Sequence, residues 1–432
     1  MEAEKPMGPI YFDCRAGNYW LQIPSGRFLN LGASDTKLHL QNSGMFISET
    51  GDNDIKHGDR ALLRAQIDRP IDYAGPLSGY PAGPFTTPGG KKILVTYGVE
   101  PMAGVEGESP ALEKLFCELL GGQQTTFFLL WLKFARESLI KRDFRPRQLM
   151  ALCGPSGCGK SLAQAIITEV LGGRVGKPYP FMSGQTNFNA DLCEAEHWCI
   201  EDEAGTTDIR TRRAFGQAIK QACVNSLVWL HGKGQKGITV PVYKAVSATL
   251  NSESENLLIL PPLDESIVDK IILLNCTPVF TGKGATITGD REKDWRKFKK
   301  ELPAFCWQID NMPCPKELAS VRYGVKHFHH PELFERLCDM SQETRLLELL
   351  DQFLWDKDKM DIAWKGSAAE LEQKLRGTNG AYQVDRLLHF PNACGTYLSR
   401  LATRFPDRFS SVKNRGKTVW TIKPEAPEKE AF

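Results

Sequence analysis

The chain has 432 residues, with 54 Lys and Arg against 52 Asp and Glu, and a formal net charge of +2. That length allows several domains, and the near-neutral balance excludes nucleic-acid binding by overall basicity, leaving local patches as the electrostatic route. Its twelve Cys include no C-x-x-C pair, which favours reduced thiols in a cytosol-type compartment over a disulfide framework or a zinc site.

Met1–Pro6 holds no apolar signal core, and no run of about 18 apolar residues occurs, so neither secretion nor a membrane span is expected. The expected location is cytoplasmic, in a bacterial cytosol or at a site of viral replication. Residues 1–105 read as a β-rich accessory segment. Ile10–Phe12 and Tyr19–Ile23 suit a hairpin, and Lys92–Tyr97 suits another strand. Over 106–145 the period turns helical, through Leu112, Leu115, Phe116, Leu119 and Leu120, then Phe127, Phe128, Leu130, Trp131, Phe134 and Leu139. Ser109 with Pro110 suits an N-cap followed by proline at the first helical position, and the stretch reads as an all-α collar.

Residues 146–280 carry the chemistry. Gly154-Pro155-Ser156-Gly157-Cys158-Gly159-Lys160-Ser161 matches the phosphate loop G-x-x-x-x-G-K-[ST] in full, between an apolar strand at 148–153 and a helix at 162–171. The three glycines let backbone N–H groups converge on phosphate oxygens, Lys160 offers a charge to the β- and γ-phosphates, and the Ser161 hydroxyl suits Mg²⁺. The expected cofactors are therefore ATP and Mg²⁺. Downstream, Trp198-Cys199-Ile200 runs into Glu201-Asp202-Glu203. An apolar strand ending in acids places Asp202 for the metal and Glu203 for the attacking water, with Glu201 as the competitor one residue out of register.

A basic amphipathic helix is expected over 208–224, followed by strands at 227–230 and 238–242 around the Gly-rich tip His231–Gly237. Lys233 and Lys236 at such a tip suit a phosphate backbone; a solvated hairpin suits the pattern equally. The next strand, 243–250, ends at Asn251, a polar amide able to sense a γ-phosphate. Leu263–Lys270 precedes the apolar strand 271–274. Residues 281–340 read as a helical connector, in which Arg291–Lys300 is better explained as a solvated helix face than as a nucleic-acid contact. Lys326–His330 reads as a polar loop rather than a metal site.

Residues 341–423 follow the winged-helix plan: a helix through Leu346–Phe353, a second over 368–375 capped by Ser367, a third capped by Asn392 and ending at Arg404, then a hairpin over 412–422. Between Pro391 and Lys423, seven Lys and Arg stand against Asp407 alone. Arg400 and Arg404 share a helix face, and Lys413, Arg415 and Lys417 crowd the wing, which suits duplex DNA. Residues 424–432 read as a disordered tail.

The succession of phosphate loop, acidic strand end, basic hairpin and Asn-ended strand resembles that of the superfamily 3 helicases, in particular the primase-linked branch of viruses, phages and plasmids. The resemblance covers about residues 109–280 and implies an AAA+-like α/β P-loop ATPase core. It implies a homo-hexameric ring hydrolysing ATP between subunits, with Lys233 and Lys236 drawing single-stranded DNA through the channel, and a separate primase or replication-initiation partner. Its arginine finger maps to Lys270, a departure, because lysine lacks the bidentate fork. Arg210, Arg212 and Arg213 are the alternatives, or hydrolysis is slow. A P-loop ATPase that remodels protein, or an ATP-switched DNA-binding assembly without unwinding, is the rival expectation.

Overall fold

The computed structural model describes residues 8–44, 48, 55–201, 209–234, 237–252, 257, 259–261, 263, 266–281, 285–338, 342–355, 362–388, 391–414 and 417–424. The chain divides into two compact units. One takes in residues 1–205 and 213–333, the other 206–212 and 334–432.

The first unit begins with strands β1 (Ile10–Asp13), β2 (Asn18–Gln22) and β3 (Phe28–Leu31), helices α1 (Ala33–Asn42) and α2 (His57–Asp68), and strand β4 (Pro70–Ile71). β1 and β2 form the expected hairpin, with Tyr11 opposite Trp20, in a sheet ordered β3-β2-β1-β4. Alternation along these strands sends Ile10, Tyr19 and Leu21 to one face, where they bury against Leu40 of α1 and Leu62 and Ala65 of α2. The described part of residues 1–105 thus holds seven strands, with the helices α1 and α2 added to them. The buried residues recur at helical spacing, Thr36 and Leu40 in α1 and Leu62 and Ala65 in α2.

A second small sheet, ordered β5-β7-β6, is built from β5 (Tyr73–Gly75), β6 (Gly83–Thr86) and β7 (Lys92–Val95). Then α3 (Pro110–Lys141) runs for 32 residues, broken at Gly121, whose φ of 68° and ψ of 169° leave the helical region. Ser109 holds the N-cap position but does not cap with its side chain. Its hydroxyl bonds Gln308, and the free amides of Ala111 and Leu112 donate instead to Glu301 Oε2, at 2.9 and 3.0 Å. Nor does α3 stand apart as a collar. Leu112, Phe116, Phe128 and Trp131 share one core with Met150, Leu152, Ile166, Ile272 and Leu274.

That core lies under a five-stranded parallel sheet of β8 (Leu149–Gly154), β9 (Val175–Gly176), β10 (His197–Ile200), β13 (Ala245–Asn251) and β14 (Ile271–Asn275), ordered β14-β8-β13-β10-β9. Helices α4 (Lys160–Val170), α5 (Tyr179–Met182), α6 (Ala190–Cys193) and α7 (Ile209–Val224) and the hairpin β11 (Leu227–Leu230) and β12 (Ile238–Pro241) fill the crossovers. β8, β10 and β13 are buried along nearly their whole length because a parallel sheet is covered on both faces. Helix α8 (Arg291–Asn311) buries Phe298, Leu302, Phe305, Cys306 and Ile309 against α3, keeps Asp294 buried, and leaves Arg296, Lys297, Lys299 and Lys300 exposed. A short bridge, β15 (Ala319–Ser320) with β16 (Gly324–Val325), and α9 (Pro331–Cys338) follow.

The second unit holds α10 (Gln342–Phe353), β17 (Trp364–Gly366), α11 (Ala368–Arg376), α12 (Ala381–Leu387), α13 (Ala393–Arg404), β18 (Phe409–Asn414) and β19 (Lys417–Ile422). Ser367 caps α11 in a reciprocal box with Glu370. Asn392 stands before α13 at φ 62° and makes no side-chain cap bond; the amide there serves the turn, tolerating the left-handed conformation. Strand β17, absent from the expected plan, completes a three-stranded sheet ordered β17-β19-β18. Among the described residues no helix is long and apolar enough to cross a membrane. The tail from 425 on lies outside the described residues.

Candidate nucleotide site

Three elements converge at the C-terminal edge of the parallel sheet, the edge at which open α/β sheets bind ligands. β8 delivers the phosphate loop. Gly157 and Gly159 adopt φ of 74° and 116°, which only glycine takes without strain. Gly154 is needed for a different reason: a Cβ there would lie 2.4 Å from the Cys276 carbonyl oxygen. The first intrahelical bond of α4 runs from the Ala163 amide to the Gly159 carbonyl (3.1 Å). The amides of Lys160, Ser161 and Leu162 therefore have no partner within the helix and define an anion-favouring end. Ser161 is exposed beside them, as are Pro155 and Ser156.

Lys160 is only 6 % exposed. Its ammonium donates to the carbonyls of Gly154 and Pro155, both at 2.8 Å, and to Asn251 Oδ1 at 3.2 Å. Register explains the last contact: β13 pairs parallel with β8 and sets Asn251 opposite Gly154. The structure thus joins two residues 91 positions apart that the sequence singled out separately. These residues fit a triphosphate and its metal: free amides at a helix start, a hydroxyl in solvent, and a cation held by neutral oxygens that it can exchange for phosphate oxygens.

Strand β10 lies on the far side of β13 from β8. Glu201 follows it directly, exposed, with Oε1 2.5 Å from Lys177 Nζ. Asp202 and Glu203 lie outside the described residues. So do Lys236, Arg415, and the side chains of Arg210, Arg212, Arg213 and Arg404.

A buried polar ring, not anticipated from the sequence, ties the three elements together. Gln164 Nε2 of α4 donates to Ser247 Oγ of β13 (2.9 Å). Ser247 contacts His197 Nε2 of β10 (2.8 Å), and His197 Nδ1 contacts Thr168 Oγ1 of α4 (2.7 Å). Thr168 in turn donates to the Gln164 carbonyl (3.0 Å). Because the Gln164 amide and the Thr168 hydroxyl fix the direction at two points, the ring closes only with a neutral imidazole carrying its proton on Nδ1. Burial holds the His197 pKa down to about 3, with the Lys177 charge adding to the effect. Gln164 also donates to the Ile200 carbonyl at 3.2 Å. The available signal was a histidine at the head of an apolar strand.

The hairpin stands where it was expected, with Trp229 opposite Thr239 and Leu230 opposite Ile238. Leu230, Ile238, Val240 and Val242 bury against Tyr73, Leu77, Ile93 and Val95. The segment before residue 105 therefore braces the hairpin base. Asn189 pins it further, donating to the Trp229 carbonyl (2.9 Å) and accepting from the His231 amide (2.8 Å). Lys233 is exposed at the tip, and Trp229 stands 59 % exposed on the outer face.

Lys270 sits just before β14 with its side chain 11 % exposed and its ammonium 2.7 Å from Asp269 Oδ1. Arg322 reaches the same carboxylate at 3.6 Å. Burial raises the Asp269 pKa, but Lys270 and Arg322 outweigh it and the carboxyl lies below its usual range. The Lys270 charge is thus largely balanced within the chain itself. In the second unit, Arg400 lies 3.3 Å from Glu343, while Lys413 and Lys417 are exposed. Lys413 pairs with Thr418 and Asn414 with Lys417, so the two lysines point to opposite faces of the ribbon.

No protein-family model and no curated protein matches the chain. Among solved structures, the apo C-terminal region of NrS-1 (305–718) superposes with a TM-score of 0.53 at 12 % identity, over 96 % of each chain. A second apo form of that region gives 0.50 at 13 % identity, again over 96 % of each. The SCCmec type IV Cch active helicase scores 0.32 at 13 % identity, over 93 % of this chain and 73 % of that one; a score that low carries no argument. The fold is that of the NrS-1 C-terminal region, built on a parallel α/β core with a phosphate loop.

Proposed function

We propose that this chain is an ATP-dependent DNA helicase or translocase of the superfamily 3 type, acting in the replication of a virus, phage or mobile element. The observation that carries the reading is the contact between Asn251 and Lys160. It sets a polar sensor at the phosphate loop of a sheet that also projects a braced, lysine-tipped hairpin. Bound Mg-ATP would supply the energy-releasing phosphoanhydride. The α4 amides and Lys160 bind its phosphates, Ser161 and Asp202 hold the metal, Glu203 orients water, and Asn251 reports the γ-phosphate position.

A homo-hexamer threading single-stranded DNA past Lys233 and Lys236 is the assembly this reading requires. The second unit is read as a winged helix, with α13, bearing Arg400 and Arg404, and the β18–β19 ribbon, bearing Lys413, Arg415 and Lys417, facing duplex DNA or a replication-initiation partner. Lys270, or an arginine among 210–213, serves as the trans-acting cation. The Asp269 ion pair favours slow turnover, and with it the rival reading of an ATP-switched DNA-binding assembly.

The test is the ATPase rate with and without single-stranded DNA, beside particle symmetry with ATP by electron microscopy. Lys160→Ala abolishes hydrolysis. Lys233→Ala with Lys236→Ala brings the DNA-stimulated rate down to the DNA-free rate and removes unwinding. Normal unwinding by the double variant would remove the hairpin from the mechanism.

A further inference from the structure

Three cysteines crowd the back of the phosphate loop, and the nucleotide chemistry uses none of their thiols. Cys153 is the last residue of β8 before Gly154, Cys158 lies within the loop, and Cys276 follows β14. The Cys276 amide donates to the Cys153 carbonyl at 2.5 Å, and the Val279 amide to the Cys158 carbonyl at 3.3 Å. The strand exit at 276–279 therefore runs along the underside of the loop. A single point, where a side chain on Gly154 would begin, lies 2.8 Å from Cys276 Cβ and 3.1 Å from Cys158 Sγ. Both side chains therefore converge on that point, and the Lys160 ammonium stands 3.9 Å from Cys158 Sγ.

We propose that Cys158 is a modification site. Oxidation by hydrogen peroxide, with Cys276 as the resolving thiol, closes a reversible disulfide that fastens the phosphate loop to the chain leaving β14 and weakens nucleotide binding. The consequence for binding rests on the nucleotide-site reading above; the disulfide itself does not.

The electrostatics are those of an attacking and a resolving thiol. The Cys276 thiol donates to the Cys158 sulfur and brings it down to about 6, against burial and with help from Lys160 and the loop amides. Cys276 is pushed up correspondingly, and burial raises Cys153, so both stay protonated. Cys158 thiolate attacks the peroxide O–O bond, giving a sulfenic acid and releasing hydroxide, which leaves as water after taking a proton. Cys276 then attacks that sulfur, forming the S–S bond and expelling the sulfenic oxygen, which departs as a second water with the Cys276 proton. Two thiols are oxidised and one peroxide is reduced. Cys158 itself is 2 % exposed, so a peroxide reaches it only when the loop shifts, and the three residues before it, Pro155, Ser156 and Gly157, are open to solvent.

Nucleotide binding weakens because a disulfide brings its sulfurs to about 2 Å, closer than any hydrogen-bonded pair. Gly154 already abuts the Cys276 backbone, leaving no slack on the strand side. Residues 155–159 must make the movement, and Lys160 loses the thiolate beside it.

The test uses the full chain, a fluorescent ATP analogue and peptide mass spectrometry. Hydrogen peroxide is expected to yield a linked Cys158–Cys276 peptide and at least a ten-fold loss of affinity, both reversed by dithiothreitol. Cys276→Ser is expected to show no linked peptide, a dimedone-reactive sulfenic acid at Cys158 instead, and no loss of affinity attributable to a disulfide. Absence of the linked peptide from the oxidised wild type, or an unchanged affinity in its presence, would overturn the proposal. If the reduced chain bound no nucleotide, the proposed function and the consequence drawn from it would fall, while the mass of the linked peptide would still decide the disulfide.

Discussion

Acidification should loosen the sheet through one residue, His197. Its pKa is about 3 in the folded chain and about 6.5 once unfolded. The opened chain therefore binds more protons below 6.5, and the stabilisation is complete above that pH and lost as pH falls toward 3. From pH 7.5 to pH 5 the loss from this group is about 2 kcal/mol. A second proton on the imidazole finds Ser247 already turning its hydroxyl toward Nε2 and accepting from Gln164, and otherwise only the weak acceptor Cys199 Sγ at 3.5 Å. His329, held at about 4 by burial and by the charge of His327, acts in the same direction, so the comparison must isolate His197. Hydrogen-exchange mass spectrometry of peptides covering 197–200 and 245–251, corrected for intrinsic exchange, reads the opening free energy of β10 and β13. His197→Gln keeps a donor and an acceptor but cannot titrate. Its opening free energy at pH 7.5 should fall below that of the wild type, and the gap should shrink by about 2 kcal/mol at pH 5. Parallel pH dependence in the two proteins would refute the buried neutral imidazole.

Gly154→Ala should cost about 1–3 kcal/mol in urea unfolding and weaken ATP binding, since its Cβ meets the Cys276 carbonyl at 2.4 Å. Gly157→Ala, which meets nothing within 4 Å, should cost about 1–2 kcal/mol, from its left-handed φ alone. Asn251→Ala, which removes the Oδ1 contact to Lys160, should lower ATPase kcat on the order of 10²-fold with a much smaller change in nucleotide affinity; equal losses in both would make Asn251 a binding residue only. Lys413→Ala with Lys417→Ala should reduce the slope of log affinity for duplex DNA against log salt by about 1, because only one face of the ribbon can lie along a backbone. A reduction of about 2 would mean that both lysines reach phosphates.

The elements that carry the candidate chemistry were legible in the chain because local rules govern them. Gly157 and Gly159 are demanded by their own backbone angles, a short apolar run such as Leu149–Cys153 ahead of a glycine-rich loop suits a strand covered on both faces, and two short runs flanking the Gly-rich tip at 231–237 suit a hairpin. Tertiary structure decided what distant segments do for one another. Sequence placed Asn251 at a strand end, but only parallel register with β8 brings it to Lys160. Ser109 has a capping residue's chemistry, yet Glu301, some 190 positions away, takes the helix amides. Nothing local marks Gln164, Thr168, His197 and Ser247 as one ring, or residues 73–95 as the brace of a hairpin more than 130 positions later. Such contacts are set by packing and by the need to pair every buried polar atom, and both depend on which strands become neighbours.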